Sequence, residues 1–219
     1  MQPNMNQAAV FCLKGITGSG KTEVYLRLIV EALKLGQQVL MLVPEIGLTP
    51  QTLGRLRNRL GATVAASHSG MTDKQRLDLW RDVRSGRTRV VVGTRHAIWL
   101  PMTNLGLIIV DEEHDASYKQ QDGFRFSARD LAVKRGQQHR CPVVLGSATP
   151  SLETLYNCEQ GRYECLQLRR RAGNAKPPTM RSIDLRSDTE IDGISNQARE
   201  ALLQSLERGE QAMVFINRR

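Results

Sequence analysis

Short runs of Val, Ile and Leu recur along the chain and alternate with longer segments of mixed polarity. These runs are apolar throughout, without a polar residue at every second position: Val10–Leu13, Val39–Val43, Val64–Ser67, Val90–Gly93, Leu107–Val110 and Val143–Gly146. Strands of this kind are typical of a parallel sheet covered by helices on both faces. The pattern therefore predicts an α/β fold with a doubly wound parallel sheet.

Helix-start signals stand between these runs and support the alternation of strand and helix. Thr49-Pro50 places proline at the first helical position, and Thr72-x-x-Gln75 has the pattern of a capping box. Ser127-x-x-Asp130 resembles a capping box as well. Each signal lies just ahead of helix-forming sequence.

The chain divides at a basic segment with glycine and two prolines, residues 169–178, which we interpret as a linker. Residues 1–168 are predicted to form the first lobe, and 179–219 the beginning of a second α/β lobe. In that second part we expect a strand near Arg181–Leu185, a helix near Ser195–Arg208 and a strand at Ala212–Ile216. About forty residues cannot bury a core alone, so the second lobe is expected to be truncated.

Composition excludes several classes of protein. With 40% hydrophobic and 24% charged residues the chain is neither disordered nor fibrous. Its longest apolar runs are about five residues, far below the ~18 of a membrane span, and the N-terminus lacks the pattern of a secretory signal. A cytoplasmic protein without membrane contact is therefore expected. The four cysteines contain no C-x-x-C pair, so their spacing indicates neither a disulfide framework nor a zinc site.

Positive charge is concentrated in the first half of the chain. Residues 1–110 carry 14 basic and 6 acidic residues, a balance of +8, whereas residues 111–219 carry 17 and 16, a balance of +1. Such an excess favours binding of a polyanion such as nucleic acid, although a solvated basic surface has the same composition.

A phosphate-binding motif follows the first predicted strand and opens a helical pattern. The sequence Gly15-x-x-x-x-Gly20-Lys21-Thr22 matches the P-loop. Backbone N–H groups of such a loop surround phosphates, the lysine reaches the β- and γ-phosphates, and the Thr22 hydroxyl is a ligand for Mg²⁺. The predicted nucleotide-binding residues are Gly15, Thr17, Gly18, Ser19, Gly20, Lys21 and Thr22.

The strand Leu107–Val110 ends in acidic residues, at the sheet edge where the phosphate loop also lies. Asp111 is predicted to hold Mg²⁺, and Glu112 to orient the water that attacks the γ-phosphate. Lys21, Asp111 and Glu112 are thus the predicted catalytic residues. Gly146–Ser151 follows another apolar strand, and its hydroxyl groups either contact the acidic residues or only cap a helix.

These motifs, in this order and spacing, resemble motifs I, II and III of superfamily 2 helicases, which are RecA-like P-loop NTPases. The likeness is stronger still to the bacterial primosomal helicases of replication restart. It is carried by Gly15–Tyr25, Val43–Gln51, His68–Gly70, Gly93–Arg95, Asp111–Gln121, Gly146–Ser151 and Arg170–Ala175.

The resemblance implies an ATP- and Mg²⁺-dependent 3′-5′ DNA helicase that binds abandoned or stalled forks and prepares them for primosome assembly. Its expected partners are single-stranded and forked DNA, primosome proteins and single-strand-binding protein. His114, Ser147 and Thr149 would couple ATP to DNA. Zinc cysteines and the arginine motif of the second lobe would follow Arg219, so the isolated chain is expected to be inactive.

The resemblance also suggests DNA-contacting residues. Thr49, Thr94 and Arg95 would bind the phosphate backbone, although capping by Thr49 and a merely exposed Arg95 are open alternatives. An aromatic and basic loop would contact bases, or else pack under the loop; its residues are Tyr118, Lys119, Phe124, Arg125 and Phe126.

The sequence departs from the family pattern at His96, where serine is expected, and at phenylalanines in place of Trp or Tyr. Two other functions stay open at this point. One is a P-loop phosphotransferase, for which no substrate lid is evident, and the other is a nucleotide- or DNA-binding module without turnover.

Overall fold

The computed structural model describes residues 9–44, 50–60, 64–171, 179–186, 190–191 and 193–215. Their strands are β1 (Val10–Gly15), β2 (Gln38–Leu42), β3 (Val64–Ser67), β4 (Val90–Gly93), β5 (Leu105–Asp111), β6 (Lys119–Gln120), β7 (Phe126–Ser127), β8 (Val143–Ser147), β9 (Glu164–Leu168), β10 (Glu190–Ile191) and β11 (Ile194–Ser195). The helices are α1 (Lys21–Lys34), α2 (Pro50–Leu60), α3 (Asp73–Arg84), α4 (Ala128–His139), α5 (Leu152–Glu159) and α6 (Asn196–Glu207).

Seven strands form one parallel sheet in the order β3-β4-β2-β5-β8-β1-β9. Helices cover both faces: α1 and α2 contribute Ile29 and Leu56 to one core, and α3 and α4 contribute Val83 and Ala132 to the other. The doubly wound α/β fold predicted from the apolar runs is therefore confirmed. All six predicted strands are present. Five of them lie inside the sheet and are almost entirely buried, whereas β3 is an edge strand and is only partly buried.

Local signals begin the helices as the sequence predicts. Thr72 and Gln75 form a complete capping box at α3, and the Ser127 hydroxyl accepts a hydrogen bond from the Asp130 amide at α4. Thr49, the residue before Pro50, lies outside the described residues.

The edge strand β9 was not predicted. It pairs in parallel with β1, but four of its five residues are exposed, so its sequence lacks the continuous apolar run of the inner strands. Pairing with β1, rather than burial, makes it a strand.

The chain folds as two compact units, Met1–Ala175 and Lys176–Arg219. The second unit contains α6 close to its predicted position and the short pair β10–β11. The strands predicted at Arg181–Leu185 and over the described part of Ala212–Ile216 are wrong, because these segments have no pairing partner among the described residues, and Met213 and Phe215 are exposed. The division into lobe, linker and second lobe stays a prediction.

Among the helices that the structure describes, none combines the length and apolar character needed to cross a membrane.

Candidate functional site

The predicted site residues meet because of the strand order. β8 lies between β1 and β5, so Lys14 is in register with Ser147, and Asp111 with Gly146. All three strands run in the same direction and end at one edge of the sheet. The loops that follow them carry the glycine-rich motif, the acidic residues and the Ser147–Thr149 segment.

The glycine-rich loop has the geometry of a phosphate cradle. Gly18 and Gly20 have positive φ angles of 77° and 92°, a region that favours glycine, and α1 begins without a side-chain cap. A Cβ on Gly15 would lie 2.4 Å from Ser19 Oγ, which is buried and has no hydrogen-bond partner among the described residues. The loop therefore offers uncapped N–H groups and an unpaired hydroxyl, which suits a phosphate group.

Lys21 is the buried cation of the site. Its ammonium donates a hydrogen bond of 2.9 Å to the Gly15 carbonyl and lies 3.5 Å from Glu112 Oε1. The side chain is shielded from solvent, since only 9% of Lys21 is exposed. The loop lysine and a carboxylate from the end of β5 thus face one another across the cradle.

Asp111 is held by a tyrosine that sequence reasoning missed. The Tyr25 hydroxyl donates a hydrogen bond of 2.9 Å to Asp111 Oδ1. Gly146 makes this approach possible, because a Cβ there would lie 1.7 Å from that hydroxyl. Burial raises the pKa of Asp111, while the Tyr25 hydrogen bond and the charge of Lys21 act in the opposite direction. Tyr25 ends the Gly15–Tyr25 motif that carries the family resemblance, but the sequence analysis gave it no role in the site.

The backbone changes direction directly after Asp111. Glu112 has a φ of 45°, which is strained for a residue with a side chain. Its carboxylate lies 3.7 Å from His114 Nδ1, and that nitrogen lies 2.7 Å from Ser147 Oγ. The Thr149 amide also donates to Ser147 Oγ, at 2.9 Å. The three predicted coupling residues are therefore joined through one hydroxyl.

Glu113 is the centre of a buried network that the sequence analysis did not assign. Its carboxylate accepts hydrogen bonds from the Ser151 amide at 2.7 Å, the Thr154 hydroxyl at 2.9 Å and Arg129 Nη1 at 3.3 Å. The Ser151 hydroxyl donates to it as well. Glu113 thus connects the end of β5 to α4 and α5. Ser151-x-x-Thr154 is a helix-cap pattern, and only this part of the network had a sequence signal.

Several residues predicted to contact DNA are buried or hydrogen-bonded within the protein. Arg95 donates to Gln120 Oε1 at 2.8 Å and to the Ser117 carbonyl at 3.1 Å, and Thr94 is buried. Tyr118 differs from its prediction: only 2% of it is exposed and its hydroxyl donates to the Asp111 carbonyl at 2.5 Å. A ring inside the core has no face on which a base could stack.

The other members of the loop do lie at the surface. Phe124 is 76% exposed, Lys119 and Arg125 are exposed, and Phe126 is half-buried. Trp99, which the sequence analysis did not select, is 53% exposed; its ring centroid lies 5.4 Å from that of Phe126 and 6.3 Å from that of Phe124. Trp99, Phe124 and Phe126 form an exposed aromatic cluster beside two cations.

The fold and this site define a P-loop protein of the RecA-like type, with nucleotide-binding loop, acidic strand end and hydroxyl segment at one sheet edge. Comparison with known protein families matches residues 2–158 to the DEAD/DEAH box helicases. The chain belongs to the DEAD/DEAH box helicase family.

Its similarity to two curated relatives is high. The chain is 50% identical to the replication restart protein PriA of Haemophilus influenzae and 44% identical to that of Bacillus subtilis, over 96% of its own length in both cases. It spans only 29% and 26% of those two proteins. The resemblance to the primosomal helicases is confirmed.

Solved structures agree on the fold. A hypothetical ATP-dependent RNA helicase from Sulfolobus tokodaii is 25% identical, with a TM-score of 0.54 over 75% of this chain and 50% of that one. RecG bound to a three-way DNA junction is 22% identical, with a TM-score of 0.57 over 93% of this chain and 25% of that one.

Proposed function

We propose that the chain is the nucleotide-binding lobe of an ATP-dependent 3′-5′ DNA helicase of replication restart, which acts on abandoned or stalled forks in the cytoplasm. The observation that carries the proposal is the meeting of Lys21, Asp111 and Glu112 at one sheet edge, with Lys21 Nζ 3.5 Å from Glu112. The 50% identity to a replication restart protein supports this particular biological role.

The residues present fit Mg²⁺-ATP. The N–H groups at the start of α1 and the Ser19 hydroxyl would bind phosphate oxygens, and Lys21 would exchange the Gly15 carbonyl for the β- and γ-phosphates. Thr22 and Asp111 would hold Mg²⁺, which neutralises phosphate charge when bound. Glu112 would orient the attacking water and accept its proton, since its carboxylate lies beside the cradle, 3.5 Å from Lys21 Nζ.

Two hydrogen-bonded contacts would couple the nucleotide site to the DNA-binding loop. His114 and Ser147 join the acidic strand end to the end of β8, at a distance of 2.7 Å. Glu113 and Arg129 join it to α4, the helix that follows the aromatic loop. A change in the carboxylates on ATP binding would therefore alter the loop that faces DNA.

Single-stranded and forked DNA would bind along the exposed aromatic cluster, where Phe124 and Trp99 offer rings for stacking and Lys119 and Arg125 offer charge for phosphates. Arg95 would contribute if it exchanged its hydrogen bonds to Gln120 and Ser117 for phosphate oxygens. Thr49 and Thr94 are proposed backbone contacts on the resemblance alone. Primosome proteins and single-strand-binding protein are the proposed protein partners.

Nucleotide binding and DNA stimulation test the proposal together. The 219-residue chain should bind Mg²⁺-ATP by calorimetry, and the full-length protein should hydrolyse ATP faster when single-stranded DNA is added. Lys21→Ala should abolish both while preserving the circular dichroism spectrum, and Lys74→Ala, at an exposed lysine of α3, should change neither. Phosphate transfer to a small molecule without a DNA effect would contradict the helicase, as would normal turnover by Lys21→Ala.

A further inference from the structure

Three of the four cysteines meet in the first unit, although they are far apart in sequence. Cys12 lies on β1, Cys158 on α5 and Cys165 on β9, and the three sulfur atoms all lie within 4.8 Å of one another. β1 and β9 pair in a register that sets Cys12 directly opposite Cys165. The spacing of the cysteines along the chain indicated no metal site, whereas the parallel pairing of the edge strand assembles three soft ligands.

We propose that Cys12, Cys158 and Cys165 form a three-thiolate site for a soft divalent cation of the Zn²⁺ class, with a water molecule as fourth ligand. Zinc–sulfur bonds are about 2.3 Å long, which places two sulfurs of a tetrahedral site about 3.8 Å apart. The sulfur atoms lie within 4.8 Å of one another, so no separation exceeds the tetrahedral value by more than about 1 Å.

The burial of the three residues also suits an ion. Cys12 is buried, Cys158 is half-buried and Cys165 is exposed, so the cluster has one closed side and one side open to solvent. The open side provides an entry path and room for the water ligand. Thiolates select soft cations over Mg²⁺, so this site would not compete with the phosphate loop for its metal.

Binding would exchange thiol protons for the cation. Burial, followed by the neighbouring thiols of Cys158 and Cys165, raises the pKa of Cys12, so this thiol keeps its proton at neutral pH until a cation displaces it. No oxidant or reductant is required, because the sulfur atoms keep their oxidation state and the released protons pass to solvent.

The proposed ion would have a structural role. β9 is one edge of the sheet and, among the described strands, is bonded only to β1, while α5 is capped by Ser151, a partner of Glu113. A cation shared by the three cysteines would fasten both elements to β1, the strand that leads into Gly15. Such a link would stabilise the sheet edge behind the nucleotide site.

Cobalt is the spectroscopic probe for this site. The chain, reduced with a phosphine and freed of metal, should bind one equivalent of Co²⁺ with thiolate-to-cobalt charge-transfer absorption, and Zn²⁺ should displace it. Zn²⁺ should also raise the melting temperature. Cys165→Ser, at an exposed position that the core does not need, should weaken metal binding at least tenfold and remove the thermal shift.

Cys141→Ser is the matched control, because Cys141 is the fourth cysteine and lies outside the cluster. It should bind Co²⁺ as the unchanged chain does, even if it melts at a lower temperature. Absence of charge-transfer absorption in the reduced chain would overturn the proposal. Equal loss of binding in Cys141→Ser and Cys165→Ser would do so as well.

Discussion

The carboxyl group of Asp111 makes the stability of the fold depend on pH. Burial raises the pKa of its carboxyl above the usual 3.8, so the folded chain binds this proton more tightly than the unfolded chain. Its stability contribution is present at low pH and is lost as the pH rises through the raised pKa. The ionised carboxylate, which the proposed Mg²⁺ ligand must provide, is therefore a cost to the fold.

We expect Asp111→Asn to melt at a higher temperature than the unchanged chain at pH 7 without metal. The amide keeps an oxygen for Tyr25 but carries no charge to bury, and about 1 kcal/mol raises the melting temperature by about 2–4 °C in a chain of this size. The difference should shrink as the pH falls through the raised pKa of Asp111 and should be gone below the ordinary value of 3.8. Calorimetry across this range measures it, with Asp122→Asn as an exposed control; a lower melting temperature at pH 7 would contradict the account.

Substitutions of the neighbouring residues Asp111 and Glu112 should impair different steps of the reaction. Glu112→Gln is expected to keep Mg²⁺-ATP binding and to lower turnover by at least about 100-fold, since an amide cannot accept the proton of the attacking water. Asp111→Asn should raise the Mg²⁺ concentration needed for binding. Calorimetry and steady-state hydrolysis by the full-length protein separate the two; equal binding defects would argue against the division.

At the scale of elements, the Glu113 network fixes the end of β5 against α4 and α5. The carboxylate is fully buried and Arg129 nearly so, with 3.3 Å between the charged atoms. A buried ion pair of this kind stabilises the fold little more than apolar side chains of similar volume would. Removing one partner, however, leaves an unpaired buried charge, which destabilises the fold.

Glu113→Ala is therefore expected to lower the free energy of unfolding by about 3 kcal/mol. Glu153 provides the control, because it is exposed and lies 3.8 Å from the same arginine. Glu153→Ala should change the free energy by less than about 0.5 kcal/mol. Urea unfolding measures both, and similar effects of the two substitutions would show that Glu113 has no special structural role.

Substitutions in the exposed aromatic cluster are expected to weaken DNA binding without changing the stability of the fold. Phe124→Ala should weaken single-stranded DNA binding by about 1–3 kcal/mol, the usual value of one stacked base. Its unfolding should be nearly unchanged, because the ring is 76% exposed. Fluorescence anisotropy with a labelled oligonucleotide tests this, and Tyr156→Ala, an exposed aromatic residue of α5, should leave affinity unaltered.

For the whole molecule, the charge excess of residues 1–110 predicts salt-dependent binding with little sequence preference. Arg125 is exposed and belongs to the loop of the aromatic cluster. Arg125→Ala should reduce the slope of log affinity against log salt by about 1, since one phosphate contact is lost. The affinity should be measured at several salt concentrations. An affinity that does not change with salt would contradict a surface that binds the DNA backbone.

The sequence by itself determined the fold class, six of the seven strands of the sheet, the helix starts and the phosphate loop. These features depend on residues within about fifteen positions of one another, so local apolar runs, caps and glycines specify them. The resemblance of the short motifs then indicated which strand ends carry the chemistry.

Only the tertiary structure decided which distant side chains meet. The hydrogen bond from Tyr25 to Asp111 spans 86 positions, the contact of Glu113 with Thr154 spans 41, and Cys12 meets Cys165 across the β1–β9 pair. Strand order sets these distances, and strand order is a property of the assembled sheet that no local pattern encodes. For the same reason the exposed strand β9 and the burial of Tyr118 became evident only in the fold.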